Sequence, residues 1–259
     1  HHPHVGRHRR LHRRAQAREA FHLAGRVLEE FEAEVVQALA KRGRRGRAWE
    51  TPTGNLAASL LLVPDCDPAI AATLGFVAGV ALNRALADVL PADVVRQGID
   101  GASRIALKWP NDVLADGAKL AGILLEAHKR ADGRHAVVIG FGVNVVSAPE
   151  GLPYPATSLK ALGAPVRAET IFSALSDSWV AAFDLWDGGR GIASVLELWR
   201  AAAAGIGSEV AVAQDGGVVR GIFESIDESG RLIVRANDNS RIAISAGDVH
   251  FGVTASVRA

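Results

Sequence analysis

Residues 104–128 constrain the fold of this chain more than any other segment, because two apolar runs flank a polar turn. Residues 104–109 are extended and mostly apolar, Pro110 ends that run, and a second apolar run covers about 119–128. The pattern predicts two strands joined by a turn. Such a hairpin gathers the polar side chains near its turn at one end. Those side chains belong to Lys108, Asn111, Asp112 and Lys119.

The rest of the first two hundred residues combines strands with helices. Hydrophobic periodicity and turn residues predict an α+β fold, with a mixed, mostly antiparallel sheet packed against helices. Further strands are expected at 56–63 and 135–146, the second of them after a turn at 132–134. Helices are expected at 19–40, 68–90, 168–187 and 192–204.

After Gly205 the pattern changes to short apolar runs separated by turn residues. This texture over about fifty residues predicts a small β-barrel. We therefore expect three parts: an atypical basic and helical segment at 1–41, an α+β domain at 42–205 and a barrel domain at 206–259. The barrel strands are predicted at 209–213, 218–226, 231–236 and 241–245.

Composition limits the location of the protein. The chain has one cysteine, Cys66, so it cannot form an intramolecular disulfide, and a cytoplasmic location is expected. Its longest apolar stretch, about 69–90, is interrupted by Asn83, Arg84 and Asp88. We therefore expect neither a transmembrane helix nor a membrane partner.

A second polar motif precedes the hairpin. Residues 42–47 read Arg-Gly-Arg-Arg-Gly-Arg, within a region where residues 1–47 contain twelve Lys and Arg against five Glu. Glycine allows close approach of the backbone to a ligand, and arginine offers bidentate donors to carboxylate and phosphate oxygens. The motif therefore predicts an anion-binding loop. An RNA-binding arginine-glycine patch is the alternative.

The hairpin residues suit an anionic, metal-bound ligand. Lys108 and Lys119 can stabilise negative charge on phosphate oxygens. Asp112 could orient a lysine, help to hold Mg²⁺ or accept a proton. Asn111 could fix the turn or bind a nucleotide. The residue types alone do not separate these roles.

Taken together, these strings resemble the catalytic core of biotin protein ligases. The resemblance rests on Lys-Trp-Pro-Asn-Asp at 108–112, Lys119, Gly-Ile-Leu-Leu-Glu at 122–126, the arginine loop, and Gly-Phe-Gly-Val-Asn at 140–144. It implies the biotin/lipoate ligase-like catalytic fold with an SH3-like C-terminal barrel. The implied enzyme is a ligase that joins biotin, through biotinyl-5′-AMP made from ATP with Mg²⁺, to a lysine of a biotin carboxyl carrier protein.

The resemblance also implies roles for individual residues. The catalytic residues would be Lys119, Lys108 and Asp112, with Asp112 as the possible Mg²⁺ ligand. The expected biotin contacts are Arg42, Gly43, Arg44, Lys119 and Gly122. The expected ATP and adenylate contacts are Arg44, Arg47, Trp49, Lys108, Asn111 and Asn144. Trp49 could instead fill the core.

The resemblance fails before residue 42. Biotin ligases usually carry a Ser-Thr-Asn turn and a Gln that line the biotin pocket, and here Ala38 stands at the place of that Gln while Lys41 replaces the first glycine of the loop. A catalytically impaired relic is therefore one alternative, and a lipoate or octanoate ligase or transferase of the same fold is another. With no room for a winged helix-turn-helix, we expect no DNA partner, and a monomer or weak homodimer.

Overall fold

The computed structural model describes residues 52–96, 103–214 and 217–251. The helix expected at 19–40 therefore lies outside the described residues. The strands are β1 Leu56–Leu62, β2 Ile105–Lys108, β3 Asp112–Ala115, β4 Ala118–Lys129, β5 His135–Val143, β6 Glu209–Gln214, β7 Gly217–Ile226, β8 Leu232–Arg235, β9 Arg241–Ile244 and β10 Asp248–Phe251. The helices are α1 Pro68–Ala72, α2 Leu74–Val89, α3 Ala92–Arg96, α4 Ala168–Trp186 and α5 Ile192–Ala201, with a short 3-10 turn at Asp187–Gly189.

The first sheet is antiparallel throughout and has the order β1-β5-β4-β3-β2. Helices α2, α4 and α5 pack together, and α2 and α4 also contact the sheet. Alternate side chains of β5, including Ile139, Phe141 and Val143, are buried in the core, and the Phe141 ring meets Trp179 of α4 edge-on. Because side chains alternate between faces along a strand, Gly140 and Gly142 face away from the helices. This confirms the predicted α+β layering.

The predicted hairpin is wrong in one respect, because a third strand lies between its two arms. Residues Asp112–Ala115 form β3, which pairs with both β2 and β4. The run was too short to register as a strand in the sequence pattern. It ends at Asp116 and Gly117, whose φ angles of 49° and 78° are both positive, as in a tight two-residue turn. The segment is therefore a three-stranded meander.

A β-bulge interrupts the pairing of β3 with β4. Val113 lies opposite Ala121 and Leu114 lies opposite Lys119, so Leu120 is an extra residue without a partner in the ladder. Leu120 and Ala121 are both fully buried. A bulge of this kind bends the strand and re-aims the side chains beside it. Lys119 consequently shares the face of Gly122 and Asp112, whereas a regular strand would turn it towards the helices.

The helix predicted at 68–90 is divided at Thr73. The backbone N–H of Thr73 bonds to the carbonyl of Ile70, three residues back, and its hydroxyl donates to the same oxygen. Among the described residues, Pro68–Val89 is long and apolar enough to cross a membrane, and 61% of its most apolar window is buried inside the fold. A core helix meets the same criterion, and α2 packs against the sheet and two other helices.

Two other predicted boundaries shift by three residues each. The strand predicted at 135–146 ends at Val143, because the Asn55 side chain accepts hydrogen bonds from the N–H groups of the three residues from Val145 onwards. The helix predicted at 192–204 ends at Ala201, where the chain turns to pair with β2. Helix α3 was not predicted.

The second sheet has the order β10-β6-β7-β8-β9 and is also antiparallel. Four of its strands match the predicted runs, and β10 was not predicted. The pairings between described residues end at β10 on one side and β9 on the other. The predicted closure into a barrel is therefore not confirmed.

The two sheets contact each other beside the meander. The backbone of Leu107 in β2 exchanges two hydrogen bonds of 2.7 Å with Ala202 and Ala204 of the connecting segment. The buried indole of Trp109 donates from Nε1 to the Gly230 carbonyl of the second sheet at 2.9 Å. The turn end of the predicted hairpin therefore lies against the C-terminal sheet.

Candidate active site

One row of residues crosses all five strands of the first sheet on the face away from the helices. Each member lies directly opposite the next in the strand pairing. The row begins with three residues that have little or no side chain and ends with two charged ones. In order across the sheet it is Ala57, Gly142, Gly122, Asp112 and Lys108.

The small members of this row form a flat floor. Gly122 and Gly142 are opposite each other, and Ser59 and Gly140 form a neighbouring pair on the same face. A missing side chain lets a flat ligand pack directly on the backbone. The position of Gly122 therefore suits its predicted contact with biotin, which stays a prediction.

Lys119 and Asp112 form an ion pair at the charged end of the floor. The ammonium Nζ of Lys119 lies 2.7 Å from Oδ1 of Asp112, and the two side chains are only 18% and 20% exposed. Partial burial weakens solvent screening of such a pair. The pair brings together two of the three predicted catalytic residues.

The backbone of Lys119 is held by the loop that follows β5. Its N–H donates to the Pro155 carbonyl at 2.8 Å, and its carbonyl accepts from the N–H of Thr157 at 2.9 Å. The ring of Tyr154, in the same loop, has its centroid 5.6 Å from Nζ. Sequence reasoning missed Tyr154, because no local pattern indicates a contact with a residue thirty-five positions earlier.

Asn144 lies buried behind Lys119. Its Nδ2 donates to the carbonyls of Thr157 at 3.1 Å and of Lys119 at 3.5 Å, and its backbone N–H donates to Leu120. Only 2% of the residue is exposed, and its Oδ1 has no hydrogen-bond partner among the described residues. A buried acceptor left without a donor is costly, which is consistent with a polar ligand at this position.

Lys108 lies where the first sheet meets the second. Its Nζ is 5.8 Å from the ring centroid of Phe251, the last residue of β10. Burial and the nearby Lys108 charge lower the pKa of His250, and Asp248 partly opposes them. Lys108 also lies opposite Asp112 in the pairing of β2 with β3. The two lysines therefore flank one carboxylate, as the sequence predicted.

Asn111 fixes the turn between β2 and β3. Its side-chain Nδ2 donates to the carbonyl of Ile123, while the Ile123 N–H donates to the Asn111 carbonyl at 2.8 Å. These bonds tie the turn to the middle of β4. They confirm the turn-fixing role, and the nucleotide contact stays a prediction.

Asn55 is a structural residue that no sequence pattern singled out. Its Oδ1 accepts from the N–H groups of Val145, Val146 and Ser147, and its Nδ2 donates to the Ser147 carbonyl at 2.9 Å. The side chain thus joins the start of β1 to the chain that leaves β5, immediately after Asn144.

Five predicted site residues lie outside the described residues. They are Arg42, Gly43, Arg44, Arg47 and Trp49, all from the predicted anion-binding loop and its flank. Their contacts with the ligand therefore stay predictions.

Comparison with known proteins shows what this arrangement is similar to. The biotin/lipoate A/B protein ligase family matches residues 36–144, and the biotin protein ligase C-terminal domain matches residues 205–252. A biotin--[acetyl-CoA-carboxylase] ligase of Paracoccus denitrificans is 37% identical over 225 residues, which are 83% of this chain and 88% of that protein. The corresponding ligase of Mycobacterium tuberculosis is 37% identical over 81% of this chain and 74% of its own length.

Solved structures agree on the fold. A biotin protein ligase from Aquifex aeolicus in complex with biotin and ATP superimposes with a TM-score of 0.64 at 20% identity, over 82% of this chain and 84% of that one. A Leishmania major biotin protein ligase in complex with biotinyl-5-AMP gives a TM-score of 0.51 at 25% identity, over 80% and 84%. The extent and identity of the sequence matches place this chain in the biotin protein ligase family.

Proposed function

We propose that this protein is an ATP-dependent biotin protein ligase. In the first step the biotin carboxylate attacks the α-phosphorus of ATP, which gives biotinyl-5′-AMP and releases pyrophosphate. In the second step a lysine amine of a biotin carboxyl carrier domain attacks the mixed anhydride, so an amide bond forms and AMP leaves. The observation that carries the proposal is the Lys119–Asp112 ion pair at the end of a glycine floor.

The first step needs charge stabilisation rather than a general base, because the attacking carboxylate is already ionised. Negative charge accumulates on the phosphate oxygens and on the departing pyrophosphate. A fixed cation aimed at that charge lowers the barrier. Lys119 carries such a cation beside the floor, and Lys108 lies across Asp112 from it.

The geometry favours an orienting role for Asp112. Its Oδ1 lies within hydrogen-bonding distance of the Lys119 ammonium, which keeps the flexible lysine stem in one place. Accepting a proton from the incoming amine would require this pair to open. We therefore assign Asp112 primarily to holding Lys119.

Mg²⁺ fits the site as a companion of the nucleotide. Among the described residues there is no cluster of three His, Cys, Asp or Glu side chains with metal-binding geometry. Proteins commonly bind Mg²⁺ through one or two carboxylates together with substrate phosphates. Asp112 is the carboxylate at this place, and bound Mg²⁺ would neutralise charge on the phosphates there.

Asn144 is proposed as the adenine contact. Its Nδ2 donates hydrogen bonds to backbone carbonyls, whereas its buried Oδ1 accepts no hydrogen bond from the described residues. The exocyclic amine of adenine is a donor that would satisfy this oxygen. We further propose that Arg42, Gly43 and Arg44 contact biotin and that Arg44, Arg47 and Trp49 contact the adenylate, as the family resemblance implies.

Labelling of a biotin carrier domain tests the activity. The purified protein should transfer biotin to such a domain only when ATP is present. Adenylate formation from lipoate or octanoate at a comparable rate would support the lipoate-type alternative. A folded protein that binds biotin without forming adenylate would be the impaired relic.

The wider setting of the protein follows from the same reasoning. The acceptor is the biotin carrier of a carboxylase, and we propose no DNA or membrane partner, a monomer or weak homodimer and a cytoplasmic location.

We also propose a catalytic part at 42–205 and a C-terminal part at 206–259, preceded by the atypical segment 1–41. The start of β6 at Glu209 and the C-terminal domain match at 205–252 support that division.

A further inference from the structure

Among the described residues, the ring of Tyr154 faces the Lys119 ammonium, on which the proposed reaction depends. Tyr154 is the only tyrosine of the chain, and its ring centroid lies 5.6 Å from Nζ of Lys119. A cation within about 6 Å of an aromatic face is attracted by the electron density of the ring. Among the described residues, the Lys119 ammonium therefore makes an ion pair with the carboxylate of Asp112 and a cation–π contact with the ring of Tyr154.

The position of this ring is coupled to Lys119 through the backbone. The residues after Tyr154 form a parallel bridge with Lys119, in which the Lys119 N–H donates to Pro155 and the Thr157 N–H donates to Lys119. Asn144 also holds this loop, because its Nδ2 donates a hydrogen bond to the Thr157 carbonyl. These bonds fix the position of the loop relative to the backbone of Lys119.

A lysine stem needs such support to act as a fixed charge. Its four carbons rotate freely, and its ammonium is a compact point charge. A contact with one carboxylate oxygen limits the distance of Nζ from Oδ1 but not the direction in which Nζ lies from that oxygen. The ring of Tyr154, as a contact on another side of the ammonium, helps to fix that direction.

We propose that Tyr154 is a positioning residue, whose ring holds the Lys119 ammonium in place for the adenylation step. This inference rests on the proposed function. The ring itself carries the effect, so the hydroxyl is dispensable. Loss of the ring lowers kcat for adenylate formation more than it raises KM for ATP. The reason is that a misplaced ammonium stabilises the negative charge on the phosphate oxygens less in the transition state.

The test measures adenylate formation, as biotin-dependent pyrophosphate release, in variants at position 154. Tyr154→Phe should retain the wild-type rate, and Tyr154→Leu should lower kcat between about 2-fold and 30-fold, the range expected for a cation–π contact. In a Lys119→Met background, Tyr154→Leu should have no further effect. Leu152→Ala, an exposed change in the same loop, is the matched control and should leave kcat unchanged.

A graded series keeps the test decisive if the leucine variant does not fold. Fluorinated phenylalanines at position 154 preserve the shape of the ring while withdrawing electron density from its face. The rate should fall with each added fluorine. A flat series, or an equal loss in Tyr154→Phe and Tyr154→Leu, would overturn the inference. Wild-type protein without adenylation activity would overturn the proposed function itself, whereas an active wild type with a flat series would overturn only the role of Tyr154.

Discussion

Lys119 Nζ lies 2.7 Å from Asp112 Oδ1, although neither residue is the direct partner of the other in the strand ladder. Asp112 lies opposite Gly122, and the bulge at Leu120 brings Lys119 onto the same face. Because of this one inserted residue, Leu120 and Ala121 are both buried, and the Lys119 side chain points towards the carboxylate of Asp112.

Removing the Lys119 ammonium should impair adenylation severely. Lys119→Met should lower the rate by about 100-fold or more, the effect typical of losing one charge-stabilising donor. Asp112→Asn should cost less, because an amide oxygen can still accept a hydrogen bond from Nζ. The double variant should be little slower than Lys119→Met, since Asp112 acts mainly through Lys119.

Lys129→Met is the control for this series, because Lys129 is an exposed residue at the far end of the same strand. Its rate should equal that of the wild type. Losses in the two single variants that simply multiply in the double variant would show that Asp112 acts independently of Lys119.

The contact between the two sheets depends on a glycine. Gly230 has a φ of +76°, and a Cβ there would lie 2.3 Å from a ring carbon of Phe76. Gly133 has a similar φ of +83° but open space around it. Alanine costs about 1–2 kcal/mol at either position because of the left-handed backbone. Gly230→Ala should destabilise by about 1–3 kcal/mol more, because of overpacking. Denaturant unfolding of both variants measures this difference. Equal losses of unfolding free energy would show that the Phe76 ring moves aside at little cost.

The Asn55 side chain should matter for stability more than an exposed asparagine. Asn55→Ala removes the acceptor for three backbone N–H groups and one donor, so about 2 kcal/mol of stability should be lost. Asn237→Ala, at an exposed turn of the second sheet, should change stability by less than about 0.5 kcal/mol. Similar melting temperatures for the two variants would show that the Asn55 side-chain hydrogen bonds do not stabilise the fold.

Stability should fall in mild acid because of His250. Burial, and then the charge of Lys108, lower the pKa of His250 below its ordinary value of 6.5, with Asp248 partly opposing them. The unfolded chain therefore takes up a proton at a higher pH than the folded protein does. The His250 contribution is fully present above about pH 6.5 and is lost as the pH falls from there through the lowered pKa.

Urea unfolding at pH 8 and pH 5.5 measures this effect. His250→Gln should reduce the loss of stability between the two pH values. An unchanged loss in the His250 variant would show that other groups account for the acid sensitivity.

Local patterns predicted that Lys108, Asp112 and Lys119 would lie together, because these residues are close in sequence. They could not predict the bulge at Leu120, since a continuous apolar run looks the same with or without an extra residue. The contacts of Tyr154 with Lys119 and of Phe251 with Lys108 bring distant segments together, and periodicity carries no information about them. Strand β3 was missed because Asp112–Ala115 is too short for its alternation to stand out.

Formation of biotinyl-5′-AMP from biotin and ATP, followed by transfer to a carrier domain, tests the central claim most directly when the wild type and Lys119→Met are compared. The wild type should form adenylate and label the carrier, and Lys119→Met should be at least about 100-fold slower in the first step while remaining folded. Equal rates for the two folded proteins, or no adenylate from the wild type, would contradict the account.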